Sequence, residues 1–394
     1  MPAIPSTVAE RRISICYIYS VIDNALAGTE RHLFQLIAAL DRRQFDPLLV
    51  VLQESAFTRQ CAAPRVAASF TATQDSGLPL QVLGFRSLFR PADWWRILQL
   101  ARLLRKRRVD IVEVHSAEGQ MVGVLAAKLA GVPVILSGRR NLGYNYGRKE
   151  RWQTRWSNRF VTAFLANSQA VADQRSRLEG IPADRFRVIP NGIDLPAFDA
   201  ARAAPVDAAY EAFCRTGVVI AIAANLRPVK NHTLFLRAAQ LVAGQHPEAR
   251  LAILGSGPDE HKLRQLASEL GIAERVYWAG SVTPIAAYLS RAEIAALTSD
   301  SEGFATAIVE AMAAGLPVVA TQVGGAAEAI VSGQNGVLVE AGNYQQLAQE
   351  LNQLLADPDL RQALGQAARR TVEQSYNWSR QRERFEQLYR AVIA

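Results

Sequence analysis

The chain has few cysteines, and its hydrophobic runs are short. Three cysteines, Cys16, Cys61 and Cys214, are spread over 394 residues. Their odd number and wide spacing exclude a disulfide framework or a zinc site of paired cysteines, and they favour reduced thiols in a cytoplasm. The apolar stretch 121–136 is interrupted by a lysine, a glycine and a proline, so no uninterrupted run is long enough to span a bilayer.

A dinucleotide-binding motif is also absent. No Gly-x-Gly-x-x-Gly follows the first predicted strand, residues 13–19, which argues against a dehydrogenase. The N-terminal region has a second interpretation, because two arginines, the apolar run 13–22 and small residues have the outline of a signal peptide. We favour a buried first strand, since the run is short and rich in β-branched residues and tyrosine.

Length and composition indicate a two-domain α/β protein. A chain of 394 residues is too long for one ordinary core, and its 49% hydrophobic content comes in alternating strand and helix patterns. The charge is uneven. Residues 1–190 contain 27 Lys and Arg against 15 Asp and Glu, whereas residues 191–394 contain 17 against 21. The basic half should meet an acidic partner, such as a membrane surface or an anionic acceptor, and no motif supports nucleic acid.

Residues 298–328 combine two glutamates, a helix start and a glycine pair. Residues 294–297 are predicted to form a strand, and a helix is predicted to begin at Gly303 and to end at Gly315. Glu302 would lie at the start of this helix and Glu310 on its flank. The N–H groups of the first turn would attract an anion, for which phosphate is the usual ligand.

The spacing of the two glutamates leaves a simpler interpretation open, in which Glu302 balances the helix dipole and Glu310 is solvated. The surrounding sequence narrows the choice. SEGF, then EAMAAGLPVVAT, then a glycine pair followed by Glu328 resembles the Glu-x7-Glu signature of the retaining GT-B glycosyltransferases of family 4. The resemblance extends in order over nearly the whole chain.

The resemblance implies an α/β fold of the GT-B type, with two Rossmann-like domains that face a central cleft. Residues 1–195 would form the N-terminal, acceptor-side domain. Residues 196–375 would form the nucleotide-sugar-binding domain, and residues 376–394 a crossover helix that packs on the first domain.

The resemblance also assigns the donor's sugar and ribose. Glu310 would bind the ribose hydroxyls of the nucleotide. Glu302 and the backbone N–H groups of Gly303, Phe304 and Ala305 would hold the hydroxyls of the donor sugar.

The donor's diphosphate would be neutralised by Lys230, Arg227 and Gly28, together with the helix start. A lysine and an arginine after a buried strand suit this role, because charge grows on the departing diphosphate as the sugar–phosphate bond breaks. The chain departs from the family pattern at two positions. Asn225 stands where family members commonly have arginine, and Ala27 stands at the first glycine of a Gly-Gly-x-Glu-Arg pattern.

A histidine and two arginines complete the candidate set. His115 ends the strand predicted at residues 110–115, and the resemblance places it against the donor sugar; with Glu302 and Lys230 it is a predicted catalytic residue. A lone histidine is otherwise more often structural. Arg139 and Arg140 follow another strand end and are expected to point to the cleft mouth, on the acceptor or phosphate side, unless they form a solvated face.

The resemblance implies retention of anomeric configuration, with no cofactor besides the nucleotide-sugar co-substrate. Asp300-Ser301-Glu302 superficially resembles a metal-binding Asp-x-Asp, but family members meet the phosphate charge with cations and helix dipoles, so no essential metal is expected. UDP- and GDP-sugars are both candidate donors. The acceptor would be a glycan or a lipid-linked acceptor of bacterial surface polysaccharide or glycolipid biosynthesis.

Residues 91–108 predict an amphipathic helix with a basic end. Packing against the sheet is one role, and peripheral contact with anionic inner-membrane lipids is the other. A cytoplasmic location, partly on the inner leaflet, is expected.

Two other functions remain open from the sequence. A sugar-nucleotide epimerase of the same architecture would need acid and base groups near the sugar, and it would release a product without any acceptor. A catalytically silent nucleotide-sugar-binding scaffold is weakly favoured by Ala27 and Asn225, whereas the intact Glu302, Lys230 and His115 oppose it.

Overall fold

The computed structural model describes residues 11–22, 28–55, 58, 80–87, 90–143 and 147–393, which form two compact units. The first contains the described residues of Met1–Asn167, Ala172–Ile189 and Arg382–Ala394, and the second contains Ser168–Val171 and Pro190–Gln381. Each unit is built on one sheet whose strands alternate with helices along the chain. The predicted fold class, with two Rossmann-like domains, is confirmed.

The first sheet is parallel throughout its described pairs. The elements up to Ile189 are β1 (Ile13–Tyr19), α1 (Gly28–Ala39), β2 (Phe45–Val51), β3 (Leu80–Val82), α2 (Pro91–Lys106), β4 (Ile111–Val114), α3 (Ala117–Ala130), β5 (Val134–Arg139), α4 (Arg148–Ser157), β6 (Ala163–Ala166), α5 (Gln169–Glu179) and β7 (Phe186–Val188). Within the described chain the strand order is β3-β2-β1-β4-β5-β6-β7.

The second sheet is also parallel. The remaining elements are α6 (Leu195–Arg202), α7 (Ala208–Cys214), β8 (Val218–Ala223), α8 (His232–Gln245), β9 (Ala249–Leu254), α9 (Glu260–Glu269), β10 (Val276–Gly280), α10 (Ile285–Leu289), β11 (Ile294–Leu297), α11 (Thr306–Ala313), β12 (Val318–Thr321), α12 (Ala326–Ala329), β13 (Val337–Val339), α13 (Tyr344–Ala356), α14 (Pro358–Ser375) and α15 (Trp378–Ile393). The strand order is β10-β9-β8-β11-β12-β13.

The strand orders locate the places where ligands can bind. The order of the strands reverses between β1 and β4 in the first sheet, and between β8 and β11 in the second. Open α/β sheets bind ligands beyond the carboxyl ends of the strands at such a reversal, because the two loops there diverge to opposite faces. In the second sheet this place lies beyond Ala223 and Leu297, close to the predicted donor residues.

Most predicted elements are present, with one correction at a boundary. Residues 13–19 form a strand paired on both sides, which confirms the strand interpretation of the N-terminal run. The described part of Arg382–Ala394 belongs to the first unit, and the crossover role of the last helix stays a prediction. The helix expected to begin at Gly303 begins at Thr306.

Candidate active site

At the reversal point of the second sheet, hydrogen bonds join the loop after β8 to the loop after β11. After β8 the chain makes the 3-10 turn Pro228–Lys230. The hydroxyl of Thr298, directly after β11, donates to the carbonyl of Lys230 at 3.1 Å. The N–H of Asp300 donates to the carbonyl of Val229 at 2.9 Å. These bonds hold the turn after β8 against the loop after β11.

Lys230 and Glu302 form an ion pair where these loops meet. The Lys230 Nζ lies 2.5 Å from the Glu302 Oε1, and the Ser299 hydroxyl donates to the same oxygen at 2.6 Å. The side chain of Glu302 is 8% exposed and that of Lys230 is 25% exposed. In the part of the chain that the structure describes, Oε2 accepts no hydrogen bond, so this oxygen can accept one from a ligand hydroxyl.

The three residues after Glu302 present backbone donors. Among the described residues, the N–H groups of Gly303, Phe304 and Ala305 have no acceptor. Helix α11 begins only at Thr306, and the carbonyl of Glu302 accepts instead from the N–H of Gly325 in the loop after β12. The prediction of a helical first turn at Gly303 is therefore wrong, but successive free N–H groups before a helix still form an anion-binding feature.

Two glycines allow the loop after β12 to lie against this backbone. A Cβ on Gly324 would come within 1.8 Å of the Glu302 carbonyl oxygen, and one on Gly325 within 2.5 Å of the Gly303 carbonyl oxygen. Gly324 also has a φ of 47°, a conformation that glycine adopts without strain. The glycine pair therefore serves the backbone of the Glu302 loop.

Glu310 lies on α11, the helix that follows the Glu302 loop. It is half-buried, whereas its neighbours Ile308, Val309, Ala311 and Met312 are buried in the core of the second unit. Glu310 is thus on the more exposed side of the helix, as the sequence predicted. Its contact with a ribose stays a prediction.

The structure places Arg227 outside the ion pair. Arg227 and Asn225 are exposed, while Leu226 between them is fully buried. Because Leu226 anchors the loop, the two polar side chains lie on its solvent side. Whether Arg227 replaces the arginine missing at Asn225 stays a prediction.

His115 follows β4, as predicted, but its side chain is only 1% exposed. Its ring stacks with Tyr17 and Tyr19, at centroid distances of 6.3 and 6.0 Å. The His115 Nε2 lies 3.0 Å from the Glu113 Oε1 without the angle of a hydrogen bond. Glu113 in turn accepts a hydrogen bond from the Tyr389 hydroxyl at 2.7 Å. The histidine is therefore packed inside the first unit, and its contact with a donor sugar stays a prediction.

Arg139 does not point outward from its strand end, so that expectation is wrong. Its side chain is 4% exposed, and its guanidinium pairs with Glu179 at 2.8 Å and donates to Asn158 at 3.0 Å. A guanidinium with partners on several sides is a structural group of this unit. Arg140 is half-exposed, and an acceptor role for it stays a prediction.

The first unit contains one more candidate. Gly28 is the first residue of α1, which agrees with its predicted place between a strand and a helix. Ala27, where the chain departs from the family pattern, lies outside the described residues, as does Cys61.

Four polar residues support the ion pair and received no role from the sequence. Ser299 and Thr298 bond to Glu302 and Lys230, the Thr321 hydroxyl donates to the Ser299 carbonyl at 2.6 Å, and the Asn231 amide donates to Asp300 at 2.7 Å. Their signal in the sequence is a hydroxyl or amide directly after a buried strand or beside a predicted site residue. Such residues are common, so position alone did not single them out.

Neither a metal centre nor a membrane span is found in the described chain. Over those residues, no three His, Cys, Asp or Glu side chains are grouped so that they could hold a metal ion. Likewise, none of the described helices has the length and apolar character needed to cross a bilayer.

We predict that His232 makes stability fall in acid. Burial, and next the charge of Lys230, lower the pKa of His232 from 6.5 to about 4. The unfolded chain therefore binds a proton between pH 6.5 and 4 that the folded chain does not, so folding stability falls as pH falls through this range. Relative to His232→Gln, the wild type should lose about 3 kcal/mol of unfolding free energy between pH 7 and pH 4, measured by urea denaturation. If wild type and His232→Gln lost the same unfolding free energy between pH 7 and pH 4, the pH dependence would not come from His232.

Two family models match the chain. The model described as "Glycosyl transferases group 1" matches residues 212–371, and "Glycosyltransferase Family 4" matches residues 26–196. The lipopolysaccharide core biosynthesis mannosyltransferase LpcC of Rhizobium leguminosarum bv. viciae is 27% identical over 314 residues, which cover 76% of this chain and 83% of the relative. A GDP-mannose-dependent monoacylated alpha-(1-6)-phosphatidylinositol monomannoside mannosyltransferase of Corynebacterium glutamicum is 29% identical over 299 residues, covering 72% and 77%.

Solved structures share the fold at lower identity. HepE of Anabaena in complex with UDP superposes with a TM-score of 0.80 at 20% identity, covering 96% of this chain and 100% of that one. Sucrose-phosphate synthase of Thermosynechococcus elongatus superposes with a TM-score of 0.77 at 20% identity, covering 97% and 99%.

Proposed function

Because the chain belongs to the group 1, family 4 glycosyltransferases of the GT-B fold, we propose that it transfers a hexose-type sugar from a UDP- or GDP-sugar to a glycan or lipid-linked acceptor, with retention of anomeric configuration. The observation that carries the proposal is the Lys230–Glu302 pair at the reversal point of the second sheet. Relatives named for lipopolysaccharide core and phosphatidylinositol mannoside synthesis support a role in bacterial surface polysaccharide or glycolipid biosynthesis.

The donor's diphosphate meets positive charge beside the turn after β8. Lys230 keeps donors free besides the one aimed at Glu302, since an ammonium has three N–H groups. The N–H groups of Gly303 to Ala305 add fixed dipoles next to it. As the bond between the anomeric carbon and the phosphate oxygen breaks, negative charge accumulates on the diphosphate, and these groups stabilise it more strongly than they stabilise the intact donor. Arg227 is a further cation for this charge.

The donor's hydroxyl groups meet the two glutamates. The Oε2 of Glu302 accepts from a hydroxyl of the transferred sugar, because Oε1 is already used by Lys230 and Ser299. Glu310, on the helix that follows, accepts from the ribose hydroxyls. A carboxylate fixed in this way orients the anomeric carbon, and orientation contributes a large part of the rate of a two-substrate transfer.

Retention is the outcome that the family resemblance implies. The Oε1 of Glu302 accepts two short hydrogen bonds, which suits a carboxylate that positions the sugar. In the mechanism that we propose, the acceptor oxygen attacks from the face that the diphosphate leaves. Its proton passes to the departing phosphate oxygen, so one carbon–oxygen bond forms, another breaks, and the anomeric configuration is kept.

The anomeric configuration of the product tests this proposal. The protein is incubated with UDP- and GDP-hexoses and a panel of glycan and lipid-linked acceptors, and the product's anomeric proton coupling is read by NMR. The α-linked product of an α-linked donor is expected. A β-linked product would disprove retention, and release of a free isomerised sugar without acceptor would favour the epimerase.

Transfer should not depend on a divalent metal. The phosphate charge is met by Lys230, Arg227 and backbone N–H groups, so we propose that no essential ion takes part. After treatment with EDTA and exhaustive dialysis, the transfer rate is expected to equal that of untreated enzyme. A loss of activity that Mg²⁺ or Mn²⁺ restores would contradict this.

We also propose that the basic first unit rests on anionic lipid through α2. Ile97, Leu100 and Leu104 of this helix are buried against the unit, whereas Trp94 and Trp95 are 50% and 54% exposed. Exposed tryptophans near the start of this helix, together with the basic residues of its last turn, suit the interface of an anionic bilayer.

The double change Trp94→Ser and Trp95→Ser should weaken binding to phosphatidylglycerol vesicles at low salt by at least about tenfold in a flotation assay. Leu241→Ser is the control, because Leu241 is 40% exposed on α8 in the second unit. If wild type ignored the vesicles, or if the double variant bound them as well as the control, the membrane contact would be wrong.

A further inference from the structure

A cavity of about 160 Å³ lies between the first turns of α8 and α9, on the second unit. Its lining includes Arg227, His232, Thr233, Asp259, Lys262 and Leu263. We call it the His232 cavity. Neither Lys230 nor any residue of the Glu302 loop lines it, so the turn Pro228–Lys230 separates it from the candidate active site.

The histidine of this cavity is buried and lacks partners. His232 is 2% exposed, and neither of its ring nitrogens has a hydrogen-bond partner in the described chain. Buried polar groups are nearly always hydrogen-bonded, and each exception requires an explanation. A histidine that lines a cavity with both nitrogens unused is explained by a ligand in that cavity.

The surrounding charge indicates an anion. Arg227 and Lys262 are exposed cations of the cavity lining, and Asp259 is the acidic residue among the lining residues named above. Helix α8 has 14 residues and starts at His232, so its positive dipole end faces the same space. The Asn231 side chain caps the N–H of Leu234, which leaves the N–H groups of His232 and Thr233 at the helix start.

Size is consistent with a phosphate group. The cavity holds the volume of about five water molecules at roughly 30 Å³ each, which is enough for a tetrahedral oxyanion and part of an organic substituent. Two cations, a helix start and a neutral imidazole donor are the groups that proteins use for phosphate.

We propose that the His232 cavity binds a phosphate group independently of the sugar donor. Lys262 pairs with its oxygens and the His232 ring donates to it, while Arg227, which also lines the cavity, keeps its proposed role at the donor's diphosphate. The phosphate comes from free phosphate or a phosphorylated metabolite, and the donor nucleotide does not fill this site. Its ligand would bind a few residues from Lys230, where it can alter donor affinity.

Calorimetric titration of the full chain with inorganic phosphate tests this, with and without saturating UDP or GDP. Wild type should bind phosphate in all three conditions, and Lys262→Ala should weaken that binding roughly tenfold. Arg237→Ala is the matched control, because it removes one exposed charge from α8 without reaching the cavity. Competition by a nucleotide, equal affinity in Lys262→Ala, or no binding would each overturn the proposal.

A second readout locates the bound anion. The chain has five histidines, so their ring nitrogen signals are few, and His232→Gln identifies the one that belongs to His232. Phosphate should shift this signal and leave the other four in place. If phosphate shifted only the signals of the other histidines, the proposal would be overturned. Phosphate binding in a protein that bound no nucleotide would refute the proposed transferase function and leave the cavity proposal standing.

Discussion

Glu302→Gln is expected to lower the transfer rate by about two to three orders of magnitude while the protein stays folded and binds its nucleotide. The amide has the shape of the carboxylate but lacks its charge. It can neither hold the Lys230 ammonium at 2.5 Å as strongly nor accept as strongly from the donor sugar. The loss should therefore appear in kcat rather than in nucleotide affinity, measured by steady-state kinetics and a thermal-shift titration.

A matched control separates this effect from a general loss of charge. Glu340 is an exposed acid of the same unit, so Glu340→Gln should transfer at the wild-type rate. Lys230→Met should be as severe as Glu302→Gln, and the double variant should be little worse than either, because groups that act as one unit are not additive. A Glu302→Gln enzyme with the wild-type rate would remove Glu302 from the mechanism.

Arg139→Met is expected to lower the free energy of unfolding by about 3 kcal/mol, because it leaves the buried carboxylate of Glu179 without its main partner. Burial opposes ionisation of Glu179, but Arg139, Asn158 and Arg175 together hold its pKa below the ordinary value. Arg175, whose guanidinium lies 2.9 Å from the Glu179 carboxylate in the wild type, should retain part of this support. Urea denaturation at pH 7 measures the loss.

The pH dependence identifies the cause. A carboxyl group whose pKa is lowered by folding contributes stability above its unfolded pKa, and this contribution is lost as pH falls through the folded value. The gap between wild type and Arg139→Met should therefore shrink below about pH 4. Arg187→Met, an exposed change on β7 of the same sheet, should stay within about 0.5 kcal/mol of wild type. If Arg139→Met were as stable as wild type but had a raised KM for the acceptor, the predicted acceptor role of Arg139 would be correct instead.

Much of the fold could be predicted because it depends on local patterns. Buried parallel strands are short runs of β-branched residues, and the residues after them mark the edge where ligands bind. Lys230 and Glu302 each follow such a strand, at β8 and β11, and the strand order makes β8 and β11 neighbours. The sequence could therefore suggest that the two residues meet, although the direct ion pair is visible only in three dimensions.

The remaining features depend on contacts between distant residues. Arg139 resembled an exposed strand-end cation, but Glu179 lies 40 residues further along the chain and buries it. His115 is packed against Tyr17 and Tyr19, and Glu113 beside it is bonded to Tyr389, 276 residues away. Before helix α11, the carbonyl of Glu302 accepts from the N–H of Gly325 in the loop after β12, and no local propensity records that contact.

A nucleotide-sugar site at Glu310 is tested by the melting temperatures of wild type and Glu310→Ala with nucleotides and nucleotide-sugars. A ligand that binds only the folded state raises Tm, so we expect a rise for the wild type with one family of UDP or GDP ligands. That rise should disappear in Glu310→Ala, whose unliganded Tm is expected to stay near that of wild type. An equal rise in both proteins, or no rise with any nucleotide, would contradict a nucleotide-sugar site at the reversal point of the second sheet.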